Sequence, residues 1–67
     1  MTEGEWRVGI SFNPSGDQKV NEVKAKVAHL IDFIIEHGNN DRCSNLAATR
    51  LEEAAMWAVK SLTKQKR

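Results

Sequence analysis

The sequence predicts an all-α protein, an antiparallel two-helix hairpin with a short N-terminal arm, assembled into a homo-oligomer. Three observations lead there. Two stretches carry apolar residues at steps of three and four, the pattern of amphipathic helices. The link between them is short and polar, and short links join antiparallel neighbours. At 67 residues there is one domain, whose core alone is only marginally stabilising, so a supplement is needed. A single cysteine, Cys43, excludes an intrachain disulfide, and His29 and His37 have no partners at the spacing of a structural zinc site. Self-association is the supplement that remains.

Residues 1–16 contain Gly4, Gly9, Pro14 and Gly16 around a short apolar stretch from Trp6 to Phe12 and read as an arm. Asn13-Pro14-Ser15-Gly16-Asp17 is dense in turn formers, and Ser15 with Gln18 matches capping-box spacing, so a helix begins at about 17. Val20, Val23, Val27, Leu30, Ile31 and Ile34 form its stripe, with Lys19, Glu22, Lys26, His29 and Glu36 largely off it, and it ends near His37. Gly38 is placed to close it as a left-handed residue, and Asn40 or Ser44 can cap the next helix, over about 41–64. There Ala47, Leu51, Ala54, Ala55, Ala58 and Leu62 mark a second stripe. Met56, Trp57 and Val59 do not all fit on it. Apolar surface therefore extends around more than one side, and copies of the chain are the simplest cover, with Met56 and Trp57 as oligomer contacts.

Net charge is +1, which gives no global reason to bind long nucleic acid, although the tail Lys64-Gln65-Lys66-Arg67 is basic. The longest apolar run, Leu30 to Ile35, is broken by Asp32 and falls far short of the roughly 20 residues that span a bilayer. A lone cysteine and an N-terminus without signal-peptide character predict a soluble, cytoplasmic protein.

No nucleotide-binding loop, metal signature or paired-carboxylate arrangement is present, so no metal, cofactor or enzymatic activity is expected. Cys43 reads as a small half-buried residue without a base beside it. Glu52 and Glu53 are adjacent, about 100° apart on a helix, and are poorly placed to act on one substrate. Binding features are richer. Phe12 can stack on a base, Asn13 can read its edge and Lys26 can neutralise a phosphate, the parts needed to hold a compact anion with flat bases. The alternative is a Phe serving as a hydrophobic staple and lysines that are simply solvated. Arg50 is either an anion clamp or the partner of Glu53 three residues on.

Val8-Gly9-Ile10-Ser11-Phe12-Asn13-Pro14-Ser15-Gly16 and Glu53-Ala54-Ala55-Met56-Trp57-Ala58-Val59-Lys60 resemble the small anti-CBASS sponge proteins of phages and the related hairpin domain of Thoeris anti-defence proteins. The resemblance covers about residues 8–62. It implies a homohexamer that acts in the host bacterial cytoplasm, capturing cyclic nucleotides made by bacterial immune synthases without cleaving them. Such relatives hold cyclic dinucleotides, cyclic GMP-AMP among them, between protomers, and many hold cyclic trinucleotides at separate sites. Ser11, Phe12, Asn13 and Lys26 best match the dinucleotide region, and Arg50 is the candidate for the trinucleotide site. Where relatives carry a tyrosine beside this turn, the chain offers Phe12. Other readings stay open: a sponge for a Thoeris-type cyclic ADP-ribose signal, an adaptor hairpin without a nucleotide, or a phosphodiesterase, for which no convincing metal ligand or base is supplied.

Overall fold

The computed structural model describes residues 1–65; Lys66 and Arg67 of the basic tail lie outside the described residues. Among the described residues the chain forms α1 (Glu3–Val8), α2 (Gln18–His37) and α3 (Arg42–Thr63), and no strand.

The stretch read as an arm thus begins with a helix. Thr2 Oγ1 accepts from the Glu5 amide at 3.1 Å, and Glu5 Oε1 accepts from the Thr2 amide at 2.8 Å. This reciprocal cap satisfies two amides that the first turn leaves without partners. An ion pair between Arg7 and Glu3, one turn apart at 3.1 Å, adds to it. Six residues are too few for a helix to persist alone, so packing must hold α1 in place. Gly4 provides the contact. Its amide donates to Asp32 Oδ1 at 2.7 Å, and a Cβ there would lie 2.2 Å from the Ala28 carbonyl oxygen. Asp32, which breaks the apolar run of α2, is the anchor of α1.

At the other end of α1, Gly9 is left-handed (φ 64°), the Gly9 amide donates to Trp6 O and the Ile10 amide to Glu5 O. That bonding pattern closes the helix and turns the chain back. Asp17 caps α2 by accepting from the Lys19 amide at 2.8 Å. Ser15, expected to cap it, instead accepts from the Asp17 amide and donates to Asn13 Oδ1 inside the preceding turn.

Along α2 the buried positions are Val20, Lys24, Ala28 and Ile31, with Val23, Val27 and Ile34 half-buried and Leu30 exposed. The inward stripe therefore includes a lysine. Gly38 is extended (φ −77°, ψ 175°), not left-handed as expected; the left-handed residue is Asn40 (φ 50°). Asparagine enters this conformation more readily than most residues with a Cβ. Gly38 has a different reason to be small, since a Cβ there would lie 2.6 Å from Ile34 O. The cap of α3 is Asp41, not Asn40 or Ser44. Its carboxylate accepts from the Ser44 amide at 3.0 Å while Ser44 Oγ accepts from the Asp41 amide at 2.9 Å. Hydrogen bonding from Ser44, first by its amide and then by its hydroxyl, holds the Asp41 carboxyl below its ordinary value. Cys43 beside it is exposed, where a half-buried place was expected.

Lys19, Val23 and Lys26 line one groove with Ala58, Ser61 and Leu62, so the start of α2 lies beside the end of α3 and the pair is antiparallel. Ala48 and Ala55 are buried on α3 with Leu51 half-buried between them, whereas Ala54 and Leu62 of the expected stripe are exposed. Small residues let the helices approach closely. The molecule measures 42 × 25 × 12 Å, and its least extent is about the diameter of one helix. Its radius of gyration, 12.5 Å, exceeds the roughly 11 Å of a compact chain of this length. A single layer of helices cannot enclose large side chains, which explains both a core of Val8, Ala28, Ile31, Ala48 and Ala55 and the exposure of Trp57, at 63%.

Candidate functional site

The turn after α1 is braced from within. Phe12 donates its amide to Gly9 O at 2.9 Å, and Gly16 donates to Asn13 O at 3.2 Å. The Asn13 side-chain amide uses both hydrogens inside the chain, one on Asp17 O and one on Asn21 Oδ1, each at 2.9 Å. Asn13 is therefore a brace of the turn in this structure, and no amide hydrogen is left over to read a base edge. Ser11 is exposed and Phe12 is 69% exposed, so the ring stands at the surface.

Beneath that ring sits Lys24, 6% exposed. Its Nζ donates to Gly9 O at 2.9 Å and to Phe12 O, and it lies 5.6 Å from the centroid of the Phe12 ring, within cation–π range. The element that places it is α2, whose inward stripe points Lys24 at the C-terminal end of α1. Sequence reading passed over this residue. The signal was a lysine at helical spacing between Val20 and Ala28, on the line that the apolar positions define.

Arg7, Phe12 and Lys24 form one side of a cavity of about 320 Å³, with Glu52, Met56 and Val59 on the other. Its two cations differ in their partners. Arg7 is held by Glu3 at 3.1 Å and by Glu52 of α3 at 3.3 Å, which ties α1 to the second arm of the hairpin. Lys24 has no carboxylate within 4.0 Å among the described residues and relies on carbonyl oxygens and the ring. A buried ammonium needs acceptors in place of water, and those of Lys24 are the two carbonyl oxygens of the turn.

Lys26 is not part of this cluster. Two residues along a helix are about 200° apart, so Lys26 faces away from the side that carries Lys24. It is exposed, pairs with Glu22 at 3.4 Å, and lines other grooves, one with Ala58 and Leu62 and one with His29, Leu30 and Phe33. Within one chain the structure thus brings together Ser11, Phe12 and Asn13, and places Lys26 elsewhere. Arg50 is exposed and pairs with Glu53 at 3.5 Å, the arrangement that competed with an anion clamp. Met56 and Trp57 are exposed and, with Thr49, Glu52, Glu53 and Lys60, line a shallow concavity of about 420 Å³. Lys60 Nζ stands 5.3 Å from the Trp57 ring centroid. Among the described residues no group of three or more His, Cys, Asp and Glu could hold a metal ion, and no helix is long and apolar enough to cross a membrane.

A thin hairpin of two long helices with a helical arm folded against it places the chain in the class of helical-hairpin domains. The model of the Acb2/Tad1 hairpin domain matches residues 5–63, and the chain belongs to that family. Membership implies a sponge-type phage anti-defence role. The match takes in α2 and α3 whole, together with the turn that bears Phe12. Neither the curated proteins nor the solved structures yield a match.

Proposed function

We propose that this chain captures cyclic oligonucleotide second messengers of bacterial immunity, chiefly cyclic dinucleotides such as cyclic GMP-AMP, and keeps them from CBASS effectors without cleaving them. The observation that supports this most, beside the family, is the Phe12 ring standing open to solvent above the buried ammonium of Lys24. A flat base finds a stacking surface there, and a phosphate finds positive potential close by.

In this reading Phe12 and Ser11 contact the ligand from one copy, and Asn13 shapes the turn that presents them. Lys26, which faces away from its own chain's turn, reaches a phosphate across the boundary between copies. Met56 and Trp57 supply part of the contact between protomers in a homo-oligomer, which we take to be a hexamer. Arg50 serves a second pocket for cyclic trinucleotides, exchanging Glu53 for a phosphate. The protein is not an enzyme in this reading, takes no cofactor, and works in the cytoplasm of the infected cell. A second reading is favoured by the family description itself, which joins two branches: a cyclic ADP-ribose signal of the Thoeris type would use the same stacking ring and positive potential.

Calorimetric titration with cyclic GMP-AMP, a cyclic trinucleotide, a cyclic ADP-ribose and a linear dinucleotide tests the reading. Tight binding of a cyclic dinucleotide with weak binding of the linear one is expected. Binding of cyclic ADP-ribose alone would move the protein to the second branch, and binding of none would leave an adaptor hairpin.

A further inference from the structure

Lys24 is an expensive residue to place where it is. A methionine would fill the same space as its aliphatic stem without removing a charge from water, so the ammonium must serve a purpose that packing does not. Its contacts say which. Both of its acceptors, Gly9 O and Phe12 O, belong to the turn that carries the exposed ring. Gly9 O also accepts from the Phe12 amide, so one charged group and one short turn bond meet on the same carbonyl. The ring of the same Phe12 lies over the ammonium. Backbone and side chain of Phe12 are therefore both referred to one atom of α2. The remaining braces act further along, through Asn13 on Asp17 and Asn21.

We infer that Lys24 is the positioning residue of the ligand turn: it fixes the Phe12 backbone and holds the ring with its outer face open to a nucleotide base. Stacking then occurs on a ring that is already ordered, and little rotamer freedom is lost on binding. The binding part of this inference rests on the function proposed above. The ordering of Phe12 does not, and it is measurable without ligand.

Two measurements on the full chain decide it. In the first, affinity for cyclic GMP-AMP is determined by calorimetry for the wild type, Lys24→Met, Phe12→Ala, the double variant and Lys24→Arg, each checked for native helical circular dichroism. Lys24→Met should weaken binding at least tenfold, Lys24→Arg should recover most of the loss, and the double variant should bind within about twofold of Phe12→Ala alone. Non-additivity of that kind is expected when one residue acts through the other. Multiplying losses would mean that Lys24 acts independently of Phe12, and would overturn the inference. In the second, amide exchange is followed by NMR without ligand. Lys24→Met should speed exchange of the Phe12 amide tenfold or more and leave Ala28 and Ile31 unchanged; equal protection of Phe12 in both proteins would overturn the inference. If the wild type binds no cyclic nucleotide, the proposed function fails, and the exchange measurement still decides the role of Lys24.

Discussion

Substituting Gly4 with alanine should lift α1 from the hairpin. The added Cβ would sit 2.2 Å from Ala28 O and 2.8 Å from Asp32 Oδ1, against about 3.3 Å for a close C···O approach. Relief requires a movement of about 1 Å, which carries the Gly4 amide, now 2.7 Å from Asp32 Oδ1, beyond hydrogen-bond range. A hydrogen bond to a charged group contributes about 1.5–3 kcal/mol. Overpacking adds about 1–3 kcal/mol if the helix stays, and the better helix propensity of alanine returns about 1 kcal/mol. Because α1 can move away and so avoid part of the strain, a net loss of about 2–3 kcal/mol is expected, equivalent to roughly 10–20 °C in Tm for a domain of this size. Thermal unfolding followed by circular dichroism at matched protein concentration provides the assay. Ligand affinity should fall as well, since α1 runs directly into Gly9, an acceptor of Lys24. A Gly4→Ala protein as stable as the wild type, or more so, would refute the docking of α1 against Ala28.

Further outcomes follow from the proposed function. Trp57→Ala should move the proposed assembly toward smaller species in light scattering and lose roughly 2–4 kcal/mol at the contact, as for an aromatic buried at an interface. Phe12→Ala should weaken cyclic dinucleotide binding by about 1–3 kcal/mol per stacked base. Lys26→Ala should weaken it about tenfold while the oligomer persists, with Lys64→Ala as a control that changes little beyond a salt-screened contribution. If calorimetry finds affinity unchanged in both Phe12→Ala and Lys26→Ala, the pocket lies elsewhere. The Asp41 carboxyl, lowered in the folded chain by Ser44, gives stability that is complete above its unfolded value near 3.8 and is lost as pH falls through the folded value. Asp41→Asn keeps the cap without the titration, so its Tm should fall less than that of the wild type between about pH 5 and pH 2.

The hairpin was legible because its signals are local: the stripes of α2 and α3 each extend over several turns, and the polar break at residues 38–41 separates them. The first helix was less visible. Its six residues carry no periodicity, yet Thr2 with Glu5 has the spacing of a capping box, and that alone could have located its start. Its docking depends on Gly4 meeting Asp32, a contact across 28 residues that no local pattern encodes. The same limit hid Lys24. A lysine at an inward position is read as an interruption of the stripe until the carbonyls that receive it are in view. Lys26 shows the reverse case, a basic residue near the turn in sequence that helical geometry carries about 200° round from Lys24. Met56 and Trp57 were legible as surplus apolar surface, and both are exposed on the single chain.

Capture without cleavage, as proposed here, is decided by recovery of the ligand. The protein is incubated with cyclic GMP-AMP, the complex is separated from free nucleotide by gel filtration, and the bound fraction is released by heat and identified by mass spectrometry. The nucleotide is expected to travel with the protein and to return as the intact cyclic molecule. A linear or hydrolysed product would make the protein an enzyme and refute capture without cleavage, and absence of any cyclic nucleotide from the protein fraction would refute capture itself.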